Sequence, residues 1–270
     1  MIKVLGLMTC FNRKEKTVKA LKNLIQGNPN IEFSFIVADD ASTDGTKQAL
    51  EDFESVNILS GNGSLFYSGG MRLAIHEAKR TEKEFDYCLL FNDDVDFAPT
   101  AIENLCKKDS SMIWVGPTSD EQGKLSYGGI IKKSNWRPKT EIVMADSKEG
   151  RLCDTFNANC VLLPWKIFME LDNIDSVFTH SMGDFDYGFS AVRKGYQIRV
   201  SDTFVGVCPD NPVQISWRNT ELSLRERIRR KESPKGLPTK EWFHYLNKNY
   251  NVITAMIYSC IPYLRILLKK

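Results

Sequence analysis

The chain has no run of apolar residues long enough to cross a membrane. Its most apolar stretch, NVITAMIYSCIPYLRILLKK from Asn251 to Lys270, is broken by Pro262 and Arg265 and falls short of the roughly 20 apolar residues that a spanning helix needs. MIKVLGLMTCFNRKEK places charge directly behind a short apolar run, so no secretory leader and a cytoplasmic protein are expected. Histidine is scarce, with His76, His180 and His244 far apart, and the seven cysteines contain no C-x-x-C pair. Most of those cysteines sit in apolar stretches, so reduced buried thiols are expected in place of a disulfide framework or a zinc cluster. Neither a G-x-G-x-x-G fingerprint nor a P-loop is present, which argues against an NAD, FAD or P-loop enzyme. There is no internal repeat and no low-complexity tract. The formal net charge is only +2 and no nucleic-acid-binding motif accompanies it, so nucleic acid is not an expected partner.

What is present is a globular composition, 42% hydrophobic and 26% charged over 270 residues, enough for one large α/β domain or a domain with an appendage. Short apolar runs alternate with stretches of helical periodicity. KVLGLMT (3–9), FSFIVAD (33–39), VNILS (56–60) and YCLLF (87–91) read as strands. Helices are expected over 14–25, after Ser42 and Asp44 as candidate caps, and from about Met71 to Lys83. From residue 112 the pattern loosens, with a strand at MIWVGP and a long turn-rich stretch. NANCVLLPWKIF (157–168) then reads as strand into helix, DFDYGFSAVRKGY as a helix ended at Gly195, and QIRVS as a strand. Such alternation implies a mostly parallel sheet covered by helices on both faces, with its ligand site beyond the carboxyl ends of the strands.

Polar motifs occupy that position three times, in TCFNR, ADDASTDGT and FNDDVD. Adjacent carboxylates such as Asp93 and Asp94 repel each other unless a cation or proton compensates them. They are either an acidic turn capping the next helix or a site for Mg²⁺ or Mn²⁺, which share their coordination with phosphate oxygens. Gly69 and Gly70 in SGGMR, at the expected start of a helix, offer N–H groups to an anion, or merely form a turn. Phe11 either stacks on a base or belongs to the core. Thr9 and Asp40 are placed to hydrogen-bond a base edge.

Taken in order, TCFNR, VADDASTDGT, GNGSLFYSGGMRLAI, FNDDVDF and MGDFDYGFSAVRKGY resemble the motifs of family 2 inverting glycosyltransferases, which have the GT-A nucleotide-diphospho-sugar transferase fold. The resemblance covers roughly residues 1–210. It implies a pyrimidine contact at Asp40, with Thr9 and Phe11 beside it, and a wider nucleotide site including Asn12, Arg13, Ser42, Gly69, Gly70, Arg72 and Asp93. It also implies that Asp94 holds the Mn²⁺ or Mg²⁺ of the donor diphosphate, that Asp184 is the catalytic base, and that Asn157, Asn159 and Asp186 contact acceptor or sugar. Two departures stand out. The acid that usually precedes the base is here Gly183, and the late metal-ligating histidine of many relatives is missing from GVCPDNPVQ. A third metal contact would then come from water, from Asp210, or from nothing.

A GT-A domain over 1–218 is thus expected, followed by a basic and amphipathic helical extension over 219–270. Arg225, Arg227, Arg229, Arg230 and Lys231 crowd into seven residues there. With the apolar tail they suit either an anionic membrane surface or packing on protein. QISWR (214–218) has the letters of the processive synthases' Q-x-x-R-W in the wrong order. The expected activity is therefore transfer of a single sugar from a UDP- or dTDP-sugar to a hydroxyl of a saccharide acceptor. A polyprenyl-diphosphate-linked acceptor, met at the inner face of a bacterial membrane during surface-glycan assembly, fits that tail. Two alternatives stay open. A sugar nucleotidyltransferase shares the fold but needs a glycine-rich basic loop where this chain has TCFNR, and a catalytically silent sugar-nucleotide scaffold is allowed by Gly183.

Overall fold

The computed structural model describes residues 1–209 and 216–268. Its first half alternates strand and helix: β1 (Ile2–Cys10), α1 (Lys14–Gly27), β2 (Ile31–Asp39), α2 (Thr46–Glu51), β3 (Val56–Ser60), α3 (Phe66–Ala78) and β4 (Tyr87–Phe91). A run of short elements follows: β5 (Asp96–Phe97), α4 (Ala101–Cys106), β6 (Ile113–Val115), β7 (Thr118–Ser119), β8 (Leu125–Tyr127), β9 (Gly129–Lys132), β10 (Thr140–Val143), β11 (Arg151–Cys153) and β12 (Thr155–Phe156). Then come β13 (Cys160–Pro164), α5 (Trp165–Glu170), α6 (Gly183–Arg193), β14 (Ile198–Val200) and β15 (Gly206–Val207). Three helices close the described chain: α7 (Leu224–Glu232), α8 (Thr239–Asn249) and α9 (Val252–Leu267).

An eight-stranded sheet in the order β11-β14-β6-β13-β4-β1-β2-β3 forms the centre. β3, β2, β1 and β4 run parallel, as do β6 and β14. β13 inserts antiparallel between β4 and β6, and β11 pairs antiparallel on the edge. The middle strands are buried along nearly their whole length, YCLLF and CVLLP completely. That is why they read as unbroken apolar runs rather than as alternation. α1 buries Thr17, Ala20, Leu21 and Leu24, one stripe at helical spacing. The loose stretch from residue 112 resolves into two small sheets, β10-β9-β12 and β5-β15-β7-β8. Their strands of two to four residues are too short to leave a periodic signal.

Two expectations need correction, and one left open is decided in part. α3 begins at Phe66, not near Met71. Ser42 caps no helix, because α2 starts only at Thr46, where the Asp44 carboxylate accepts the Thr46 N–H at 3.0 Å. Of the two readings left open for the basic run of α7, Arg227 and Lys231 follow packing on protein, being 1% and 0% exposed. Arg227 donates to the Trp217 and Ile266 carbonyls, both at 3.0 Å. Lys231 pairs with Glu232 and Thr239 beneath the Tyr263 ring. Arg229 and Arg230 both bind Glu226 at 2.8 Å. Arg227 and Lys231 join α7 to α8 and α9, whereas the Arg229 and Arg230 pairs with Glu226 lie within α7. α8 in turn docks on α6, where Lys248 donates to the buried Asp186 carboxylate at 2.7 Å and Asn249 at 2.9 Å.

Candidate functional site

The carboxyl ends of β1, β2 and β4 form one rim, and the chain turns sharply there. Asn12, Ala41, Phe66 and Met182 all take positive φ, and Thr100 is the one other non-glycine residue to do so among those described. Such conformations cost of order 1–3 kcal/mol each and gather where a site must be shaped. The β1 and β2 loops lock together. Asn12 N–H donates to Ser42 Oγ at 2.9 Å, and Asn12 Oδ1 accepts from Thr43 N–H at 2.8 Å. Phe11 is 48% exposed, which removes it from the core and leaves its ring available at the mouth.

Asp40 is buried at the end of β2 and binds the loop that leads into α3. Its carboxylate accepts from Gly63 N–H at 2.8 Å and Phe66 N–H at 3.0 Å. Thr9 is close by, donating to the Ala38 carbonyl at 3.0 Å. The first turn of α3 spends its N–H groups within the protein, Tyr67 on His180 Nδ1 and Ser68 on the Thr179 carbonyl. Gly69 N–H bonds to the Leu65 carbonyl. The expectation of a free anion cradle at Gly69 and Gly70 therefore fails. Gly70 serves another purpose, since a Cβ there would lie 2.1 Å from Thr9 Oγ1; its absence lets α3 cross the end of β1. Arg72 is also reassigned. Its guanidinium donates to the carbonyls of Asp175 and Phe178 at 3.1 and 2.7 Å and clamps α3 to the segment before Asp184.

The acidic motif after β4 divides into three roles. Asp96 is exposed and bound by Lys19 and Asn23, both at 2.7 Å, on the flank of α1. Asp93 is buried, and burial pushes its carboxyl up to about 6 against the pull of Arg13. Asp94 is half-buried and faces the mouth. Arg13 Nη1 sits between the two, 3.0 Å from Asp93 and 2.9 Å from Asp94. One guanidinium thus balances two carboxylates, leaving the pair a charge short. That deficit, with one carboxylate open to the rim, fits a hard divalent cation held by one or two protein oxygens and completed by phosphate. Among the described residues no cluster of three His, Cys, Asp or Glu could cage a metal, and Asp210 lies outside them.

Across the rim, Asp184 stands at the start of α6. Its carboxylate accepts from Ala158 N–H at 3.2 Å and Phe185 N–H at 2.9 Å. Burial pushes it up to about 6, the range in which a carboxylate is ionised at neutral pH yet basic enough to take a proton. The segment that holds Asp184 also reaches Asp94. Asn159 Nδ2 lies 3.4 Å from Cys208 Sγ, which lies 3.7 Å from Asp94 Oδ1. Asn157 leaves its buried Oδ1 without a partner, whereas Asn159 is 6% exposed and turned to Cys208. Asn159 supports the rim from behind rather than meeting an acceptor. Asp186 is withdrawn as a sugar contact, for it is 2% exposed and bound to α8.

Sequence reasoning passed over two residues. Cys208 occupies the place beside Asp94, and burial next to that carboxylate pushes its thiol up to about 12. His180 packs against Phe66 and Tyr67, and burial, with Lys235 and Arg13 nearby, pushes it down to about 4. It is a neutral imidazole whose Nδ1 accepts, so Nε2 carries the proton. Neither residue stood in a recognisable local pattern.

The rim thus brings together an acidic pair, Asp93 and Asp94, and a raised carboxylate, Asp184. The family model for glycosyl transferase family 2 matches residues 7–150, and the chain belongs to that family. No curated protein sequence matches it. Among solved structures it is similar to a mannosyltransferase, PcManGT from Pyrobaculum calidifontis, in complex with GDP-Man and Mn²⁺. That pair shares 15% identity at a TM-score of 0.55 over 98% of this chain and 73% of the other. TarS 1–349 from S. aureus is similar at 14% identity and TM-score 0.53 over 98% of this chain and 81% of that one. GalNAc-T7 with UDP, GalNAc and Mn²⁺ is similar at 11% and 0.58, over 93% and 59%. At these identities the likeness establishes the GT-A fold. No helix among the described residues is long and apolar enough to cross a membrane.

Proposed function

We propose that this chain is an inverting glycosyltransferase that moves one sugar from a UDP- or dTDP-sugar to a hydroxyl of a saccharide acceptor. The observation that carries the reading is Asp184, a carboxylate raised to about 6 and joined through residues 157–159 and Cys208 to Asp94. The acceptor hydroxyl gives its proton to Asp184 as its oxygen attacks the anomeric carbon. The new C–O bond forms on the face opposite the breaking bond to the diphosphate, which leaves with the electron pair. Phe11 stacks on the base, while Thr9, Asp40, Asn12 and Ser42 shape the pocket that orients it. Asp94, with Asp93 behind it, would hold Mn²⁺ or Mg²⁺, which would supply positive charge to offset that of the leaving diphosphate.

A polyprenyl-diphosphate-linked saccharide at the inner face of a bacterial membrane is the acceptor we favour, in surface-glycan assembly. That choice rests on the exposed apolar face of α9. The nucleotidyltransferase alternative loses ground because the β1 loop is closed by Ser42 and Thr43 and has no glycine-rich phosphate cradle. A donor screen tests the proposal. Thermal unfolding followed with a panel of sugar nucleotides and Mn²⁺ should show stabilisation by UDP- or dTDP-sugars, since a ligand at 100 times its Kd adds about 2.7 kcal/mol. No shift with any nucleotide sugar would count against it.

A further inference from the structure

We infer that the outward face of α9, together with the Trp136 loop beside it, is a docking surface for an anionic lipid bilayer. The inference deepens the proposal of a lipid-linked acceptor and takes its setting from that reading. α9 buries Thr254, Ala255, Ser259, Pro262 and Ile266 against the protein, a side that carries small and weakly polar groups. The opposite side is the more apolar one. Val252, Ile253, Met256, Ile257, Leu264 and Leu267 are each 47% to 61% exposed. Spacings of three, four and seven residues align them along a helix of 16 residues, roughly 24 Å long. A contiguous exposed apolar face of this kind marks an interaction site, so it calls for a partner.

Charge identifies the partner. α9 contains no Asp or Glu, and its one ionised side chain is Arg265, which is exposed. The turn between β9 and β10 abuts the first turn of the helix, the Thr254 hydroxyl donating to the Trp136 carbonyl at 3.0 Å. At the tip of that turn the Trp136 side chain is 67% exposed, with Arg137 and Lys139 exposed beside it. An amphipathic helix lying in the plane of the interface, an indole at headgroup level and cations at the rim are the parts of an interfacial lipid site. A second copy of the chain fits less well. A two-fold interface presents the same patch from both sides and would bring these cations against their own copies with no acid on α9 to offset them. The buried cations of α7, Arg227 and Lys231, play no part, since their partners lie inside the fold.

Flotation of the whole protein on vesicles tests this, with phosphatidylglycerol–phosphatidylethanolamine compared with phosphatidylcholine, at low and high salt. Binding to the anionic vesicles is expected, weakened but not abolished by salt, together with a blue shift of tryptophan emission that Trp136→Phe removes. Changing Ile253 and Ile257 together to serine should weaken vesicle binding by about tenfold or more and leave the melting temperature and donor binding unchanged. If the wild-type protein ignores phosphatidylglycerol vesicles, the inference falls. It falls equally if sedimentation shows a dimer that the double serine variant splits, for then a second copy covers the face. Sugar transfer to a short soluble acceptor is unaffected by either outcome, so failure of the docking surface and failure of the transferase reading are told apart.

Discussion

Asp184→Asn should transfer sugar about 10²–10⁴-fold more slowly than the wild-type protein, the usual contribution of a general base, while still binding donor. Asparagine keeps the size of the side chain and an oxygen for the Ala158 and Phe185 N–H groups, so the start of α6 should hold its shape. What it cannot do is accept the acceptor's proton. The pH dependence separates this role from a structural one. Burial raises Asp184 to about 6, so the wild-type kcat should fall as pH drops through that value, because the protonated carboxyl is no longer a base. Above it, kcat should level off. The variant should lack that limb. Asp93 is also raised to about 6, but it faces the donor side, and its protonation should appear in donor affinity rather than in kcat. Initial rates between pH 5 and 8, with donor affinity measured by calorimetry, check both points. A variant that transfers at near wild-type rate reduces Asp184 to a helix cap.

The second large effect is expected at Asp94. Asp94→Ala removes the one carboxylate of the acidic motif that is open to the rim and bound to Arg13. A cation polarising a leaving diphosphate supplies several kcal/mol, and each 1.4 kcal/mol or so is a factor of ten. Mn²⁺-dependent affinity for UDP or dTDP, and transfer with it, should therefore drop by at least about 10²-fold. Asp96→Ala provides the contrast within the same motif. Asp96 is exposed and paired with Lys19 and Asn23, and an exposed pair of that kind contributes about 0–1 kcal/mol; nucleotide affinity should not change. Titrations of both variants with and without Mn²⁺ decide the matter. Equal affinities for wild type and Asp94→Ala would remove the cation from Asp94.

The rim was legible in the sequence because its parts are local. A buried parallel strand is an apolar run, and a polar cluster at its end marks the ligand side; Thr9, Asp40 and Asp94 all fell out of that pattern. The residues misread are those whose partners lie far along the chain. Asp186 looks like a member of the catalytic motif until Lys248, sixty-two residues later, is seen bonded to it. Arg72 looks like a member of the nucleotide site until the carbonyls of Asp175 and Phe178 are seen to hold it. Gly70 was read as an N–H donor to an anion or part of a turn, but the need for glycine arises from Thr9 on another element. The basic run of α7 left two readings open, a membrane surface or packing on protein, because Arg227 and Lys231 find their partners only on other segments. Cys208 offered no sign, because its meaning comes only from the Asp94 carboxylate beside it.

The most direct test of the central claim is the anomeric configuration of the product. With the donor found by the nucleotide-sugar screen and a saccharide acceptor, proton NMR of the reaction should show a new glycosidic linkage of configuration opposite to that of the donor, formed with release of nucleoside diphosphate and lost in Asp184→Asn. A product that keeps the donor's configuration, or cleavage within the diphosphate instead of at the sugar, would contradict an inverting transferase with Asp184 as its base.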